Sequence, residues 1–278
     1  MTHLRIDDRH IGCLATCAAT DESHYASHPY LPGDFADALG NIARDGASAE
    51  LRMDGAGSQS AAAGSNAEAD SAAVDVLVCG AATIVPLDEA EDNDEQLFAH
   101  CFHFSDDEPR MVFSNKLPDL HARLLFGLRR SSYEALAQWA EGAELRFYSS
   151  LTPLLKHHSV TFDETSRQRL CVNCRDRFID VFAFDGTRLT LFNSYSVSGV
   201  TDIVYYVIAV ANTVGINLSS VRCYVMGDRV TAENAISHLR RFIQKVSPVA
   251  LPDDCASRAA TSTSAIPYDL VLHTLCAS

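Results

Sequence analysis

Hydrophobic positions fall into short runs along most of the chain, and their spacing switches between period two and period three to four at definable points. In the second half, Gln168–Cys174, Arg177–Phe184 and Arg188–Asn193 are β-rich runs, and Asp185-Gly186 predicts a hairpin between the last two. Within the middle run, Phe178, Asp180, Phe182 and Phe184 share one face, while Ile179, Val181 and Ala183 share the other. Apolar residues on both faces predict a strand covered on both sides, as in a layered α/β core. A helix follows from about Thr201 to Asn212, apolar round most of its circumference, with Gly215 placed to end it. Val221–Met226 reads as a further strand. The next helix is predicted to start near Thr231 as N-cap. It carries Ala235, Ile236, Leu239, Phe242, Ile243 and Val246 to a stop at Pro248.

The first half repeats this order less regularly. Leu4–Asp7 and Ile11–Ala18 predict a hairpin, Asp34–Arg44 a short helix, and Val74–Cys79, Met111–Ser114 and Leu120–Leu128 further strands. Ser131-Ser132-Tyr133-Glu134 has capping-box spacing ahead of a helix carrying Leu136 and Trp139. Leu145–Tyr148 is then a strand, and Pro153 opens another helix. The pattern predicts two α/β lobes, residues 1–165 and 166–278, each a sheet with helices. Gly55 to Ala73 has no aromatic or branched aliphatic residue, so a disordered insertion is expected near 55–73, with a shorter linker of the same kind at Ser257–Ala265. The acidic run Asp88 to Glu95 lacks the glycine and ligand periodicity of a calcium loop and reads as a solvated loop.

Charge narrows the choice of partner. Against 22 basic residues stand 36 acidic ones, a net charge of −14, which repels nucleic acid and anionic lipid. The N-terminal twelve residues are charged and lack an apolar signal region, and the longest apolar run, Ile203 to Ala211, is far shorter than the ~20 residues a membrane helix needs. The nine cysteines are scattered, an odd count that suits reduced thiols. A cytoplasmic location is expected, with no membrane insertion and no nucleic-acid partner.

Leu189-Thr-Leu-Phe-Asn-Ser-Tyr-Ser-Val197, followed by Thr201-Asp202-Ile-Val-Tyr-Tyr206, resembles a Bacteroidales family, domain-of-unknown-function family 3822. Its members carry a similar Asn-Ser-aromatic segment and then an Asp shortly before an aromatic pair. The resemblance continues through Cys223-Tyr-Val-Met-Gly227 and the helix after it, and returns at Tyr268-Asp-Leu-Val-Leu-His-Thr-Leu-Cys276, where Ala277 stands in place of the family's acidic residue. In the first half it rests on the order of elements and Ile84-Val-Pro86. What the resemblance implies is a two-lobed actin-like, ribonuclease H-like duplicated fold of mixed sheets flanked by helices, with no activity attached.

Actin-like ATPases hold phosphates on two hairpin turns, usually Asp-x-Gly, where glycine lets backbone N–H groups approach the anion. The corresponding turns here are Asp7-Asp8-Arg9 and Arg175-Asp176-Arg177, neither with a glycine. The adenosine-side motif usually ends in paired glycines, and here Gly227 is followed by Asp228. All three positions read as degenerate, with Asp7 and Asp176 either residual magnesium-site carboxylates or plain turn aspartates. Cys171-Val-Asn-Cys174 is a lone C-x-x-C, and on a strand its two thiols point to opposite faces. His157-His158 lacks a second cluster to make a ligand set. Asn193, Tyr195 and Asp202, where a strand leaves the second sheet and a helix begins, are the candidate cleft or partner contacts. Their structural alternative is strand closure, a favourable charge at the helix N-terminus and packing of Tyr205 and Tyr206. No catalytic residue, metal or cofactor is expected. The expected function is a non-catalytic actin-like scaffold or adaptor with an unidentified protein partner; the alternative is an ATP-binding switch or kinase-like enzyme with a rearranged site.

Overall fold

A computed structural model describes residues 2–16, 23–31, 33–45, 73–89, 91–104, 106–140, 142–160, 167–249 and 266–276. The predicted insertion (apart from Ala73), the 257–265 linker and the 165/166 boundary lie outside the described residues. The chain opens with β1 (Thr2–Ile6), β2 (His10–Thr16), β3 (Ser23–Pro29) and α1 (Phe35–Asp45). β4 (Ala73–Val78), β5 (Ala82–Pro86), α2 (Asp94–Cys101), β6 (Arg110–Leu117), β7 (Ala122–Arg129) and α3 (Arg130–Ala140) come next, then β8 (Glu144–Ser149) and α4 (Leu151–Val160). The second half runs β9 (Gln168–Cys174), β10 (Phe178–Asp185), β11 (Arg188–Ser196), α5 (Val200–Thr213), β12 (Arg222–Gly227), α6 (Arg229–Leu239) and β13 (Lys245–Pro248). A last helix, α7, covers Tyr268–Cys276.

These strands form two five-stranded sheets of one plan, ordered β3-β2-β1-β4-β8 and β11-β10-β9-β12-β13. In each, an antiparallel three-strand meander is extended by two strands parallel to the first of the meander. Among the described residues a third sheet, β5-β7-β6, is inserted in the first half and has no counterpart in the second. The doubled plan makes the molecule two-lobed, with mixed sheets flanked by helices. Among the described residues no helix is long and apolar enough to cross a membrane.

The two faces of β10 behave as its pattern requires. Phe182 and Phe184 join the core shared with the first sheet, α1, α3 and α4, while Ile179, Val181 and Ala183 join the core beneath α5 and α6. Cys171 and Cys174 likewise belong to different cores, and burial pushes both thiols up to about 12.

Three local readings change. The helix expected from Thr231 to Pro248 is capped by Asp228, whose Oδ1 accepts the Thr231 N–H at 2.9 Å, and it ends at Leu239. Residues 245–248 pair in parallel with β12 instead. Ile243 and Val246 are still buried, so a helical spacing of apolar residues here marks core contact and not helix. Strand pairing wins because it occupies backbone groups of β12 that a longer helix would leave without partners. The presumed capping box at Ser131 lies inside α3; the Ser131 N–H is received by Glu108 Oε1, 2.9 Å away, from another segment. The acidic run at 88–95 is not wholly solvated, because Asp94 starts α2 and pairs with the fully buried Arg123 at 2.6 Å.

Candidate functional site

The turns β1–β2 and β9–β10 are built alike and come from equivalent places in the two sheets. Each closes on a backbone bond four residues wide, Asp7 N–H to His10 O at 3.0 Å and Arg175 N–H to Phe178 O at 2.8 Å. Asp7 organises its own turn: Oδ1 accepts the N–H groups of Arg9 (2.9 Å) and His10 (2.6 Å), and Oδ2 accepts Arg5 Nη1 at 3.0 Å. The Tyr30 hydroxyl donates to the Asp7 carbonyl. Across the gap, Arg9 Nη1 lies 3.5 Å from Asp176 Oδ2, and both side chains are exposed. The two turns are therefore joined by side chains where a glycine would leave open backbone.

Behind this pair is a cleft of about 580 Å³ whose lining includes Asp7, Asp8, Gly80, Phe104, Arg175 and Ser194. Its arginines are already engaged. Arg175 Nη2 donates to Asp180 Oδ1 at 2.7 Å, and Asp106 takes Arg110 at 2.8 Å and Arg129 at 3.0 Å. Burial works against the Arg175 charge more than any one neighbour favours it, yet Asp180 and the other acidic groups around it, Asp8 among them, together raise the guanidinium pKa. Asp180 is itself fully buried and also accepts Ser194 Oγ (2.6 Å) and Asn173 Nδ2 (2.9 Å), so its charge is matched by three donors. Cys79 lines the same cleft, and burial raises its thiol to about 12, which leaves it protonated and a poor nucleophile. Asp180 and Arg175 were missed as site residues from sequence; the available signal was a charge in the middle of β10, flanked by apolar residues on both sides.

The remaining candidate positions lie elsewhere. Gly227 has φ +101°, and a Cβ there would stand 2.0 Å from the Cys174 carbonyl oxygen, so its lack of a side chain serves the approach of β12 to β9. Asp228 donates its N–H to the Cys174 carbonyl at 2.7 Å and caps α6. Asn193 is exposed on β11, and its Oδ1 accepts the Ser194 N–H. Tyr195 stacks on Tyr206 with ring centroids 4.3 Å apart. Asp202 Oδ2 accepts the Ser198 N–H at 2.7 Å in front of α5. None of these five residues is among those lining the cleft.

A profile of the family described as "Protein of unknown function (DUF3822)" matches residues 72–246, more than half the chain. Among solved structures, the chain is similar to a protein of actin-like ATPase fold and unknown function from Bacteroides thetaiotaomicron VPI-5482. Identity is 19%, coverage 99% of this chain and 95% of that one, and the TM-score 0.75. The PilM-PilN type IV pilus biogenesis complex gives 13% identity, 89% and 87% coverage and a TM-score of 0.49. The AlfA filament bound to AMPPNP gives 11%, 98%, 94% and 0.43. The first of these similarities shows the fold; the other two are too distant to add to it. No curated protein matches the chain. The sheet plan repeated in both halves, the facing turns and the profile match lead to one statement: the chain belongs to the DUF3822 family and has the actin-like ATPase fold.

Proposed function

We propose that the chain is a non-catalytic, cytoplasmic scaffold or adaptor, with lobes 1–165 and 166–278, that works through protein–protein contacts. The observation that carries this reading is the Arg9–Asp176 pair spanning the two turns. An exposed pair of this kind is itself worth only about 0–1 kcal/mol, so it is no lock by strength alone. Its weight comes from what surrounds it. A polyphosphate entering the cleft meets Asp7 and Asp8, and it must draw Arg110, Arg129 or Arg175 away from a carboxylate already within 3.0 Å. The glycine-rich backbone that would make an anion cradle is missing from both turns. Asn193, Tyr195 and Asp202 are proposed to shape the contact surface, through the exposed Asn193 on edge strand β11 and the neighbouring Tyr205, 65% exposed.

The cleft volume favours a second reading, an ATP-binding switch or kinase-like enzyme with a rearranged site. Calorimetric titration with Mg-ATP, ADP and GTP separates the two. The scaffold reading expects no saturable heat up to millimolar nucleotide. Micromolar binding that disappears in Asp7→Ala or Asp176→Ala would replace it with the second.

A further inference from the structure

The first sheet carries a row of polar residues on the face that α7 covers. His3 on β1 is the register partner of Asp75 on β4, and Asp75 is the register partner of Arg146 on β8. Helix α7 sets His273 over this row, with Nε2 2.9 Å from Asp75 Oδ2. His3 Nδ1 lies 3.5 Å from the same oxygen and has no hydrogen-bond partner. The three ligand atoms are within 4.8 Å of one another, and the residues are 3%, 1% and 5% exposed. Arg146 Nε holds the other carboxylate oxygen, Oδ1, at 2.7 Å.

We propose that His3 Nδ1, Asp75 Oδ2 and His273 Nε2 bind a divalent cation of the zinc class, which staples α7 to the first sheet. Two imidazole nitrogens and one carboxylate oxygen are a borderline donor set, suited to zinc and unlike the six or more oxygens that calcium or magnesium takes. The spacing fits as well. Zinc bonds of about 2.0–2.2 Å place neighbouring ligand atoms roughly 3.3–3.6 Å apart in a tetrahedron, which matches the 3.5 Å separation and asks the 2.9 Å hydrogen-bonded one to open by about half an ångström. Hydrogen bonding alone is the competing account, and it serves His273 well. It serves His3 poorly: the buried Nδ1 faces the same Oδ2 at 3.5 Å, too far for a good hydrogen bond, a shortfall that a cation ligand would recover. Arg146 acts in both directions: its charge opposes the ion, but its hold on Oδ1 turns Oδ2 toward the two imidazoles, the outer contact that ligating carboxylates usually have. Its side chain is 35% exposed, so solvent screens part of the repulsion. Three protein ligands leave a place for one water, and the burial admits no substrate, so the ion is structural.

The test uses the full, untagged chain, stripped with chelator and titrated with zinc chloride. About one zinc per chain is expected, with an X-ray absorption spectrum showing only nitrogen and oxygen neighbours near 2.0–2.2 Å. His3→Gln and His273→Gln should each weaken zinc binding at least tenfold, whereas Cys101→Ser, a change at an exposed thiol outside the site, should leave it unaltered. Unchanged affinity in both histidine variants, a sulfur shell near 2.3 Å, or less than a tenth of an equivalent bound at a hundred micromolar zinc would each overturn the site. Should either variant fail to fold, the stoichiometry and absorption spectrum of the native chain decide the matter.

Discussion

At Gly227 two constraints coincide. The backbone takes φ +101°, and the space where a Cβ would sit is filled by the backbone of Cys174, with its oxygen at 2.0 Å and its nitrogen at 2.7 Å. Gly227→Ala is therefore expected to destabilise by more than the ~1–3 kcal/mol of backbone strain alone, because β12 must also move away from β9; a urea midpoint reads the loss. A different kind of residue effect belongs to His158 on α4. It is 5% exposed, and burial, followed by the charges of His157 and Arg169, lowers its pKa to about 3. The unfolded chain takes up this proton near pH 6.5, well before the folded one does. Its contribution is thus complete above about 6.5 and is lost as pH falls toward 3, amounting to at most a few kcal/mol. His158→Leu should flatten the stability–pH curve in that window, measured by denaturant midpoints from pH 7 to 4. Neither role was legible in the sequence. A glycine at a strand end looks the same whether it faces a ligand or a backbone, and a histidine pair on a helix gives no sign of which member is buried.

Elements were most legible where one physical signal dominated. The β9–β10–β11 meander follows from alternation and Asp185-Gly186, and α5 from its apolar circumference. The elements that escaped prediction were those whose reason is a partner outside their own stretch of sequence. β3 reads Ser-His-Tyr-Ala-Ser-His-Pro and is a strand because β2 offers it an edge, and β13 exists because β12 does. α2 hides in an acidic run whose Asp94 looks solvated until Arg123, 29 residues later, is seen to need it. With Arg123 fully buried, Asp94→Ala strands a charge and should cost about 3–5 kcal/mol. Adding Arg123→Met to that variant should restore part of the loss, which a double-mutant cycle on thermal unfolding measures. Recovery of nothing would mean that Arg123 finds enough support in the Glu89 carbonyl, 2.9 Å away.

At the scale of the molecule, the doubled sheet plan brings Asp7 and Asp176, residues of two similar turns, to opposite sides of one gap. The family resemblance made that arrangement foreseeable from sequence, but the arginine–carboxylate pairings that line the cleft were not: Arg110–Asp106 and Arg175–Asp180 are close in sequence yet lie in turns and strands where spacing alone does not set a pair, and Arg129 reaches the same Asp106 from the end of β7. The same holds for α7. Arg5 meets Asp269, and Asp75 meets His273, across 264 and 198 positions of sequence. During synthesis at about 5–20 residues per second, roughly ten to fifty seconds separate the appearance of Arg5 from that of Asp269. Throughout that interval the first lobe can form its strands, yet Arg5 and the apolar face awaiting Leu270 and Leu272 remain uncovered. Until then the nascent first lobe offers that uncovered surface to chaperones and proteases, and its completion waits on a partner for Arg5 that lies 264 positions further along the chain.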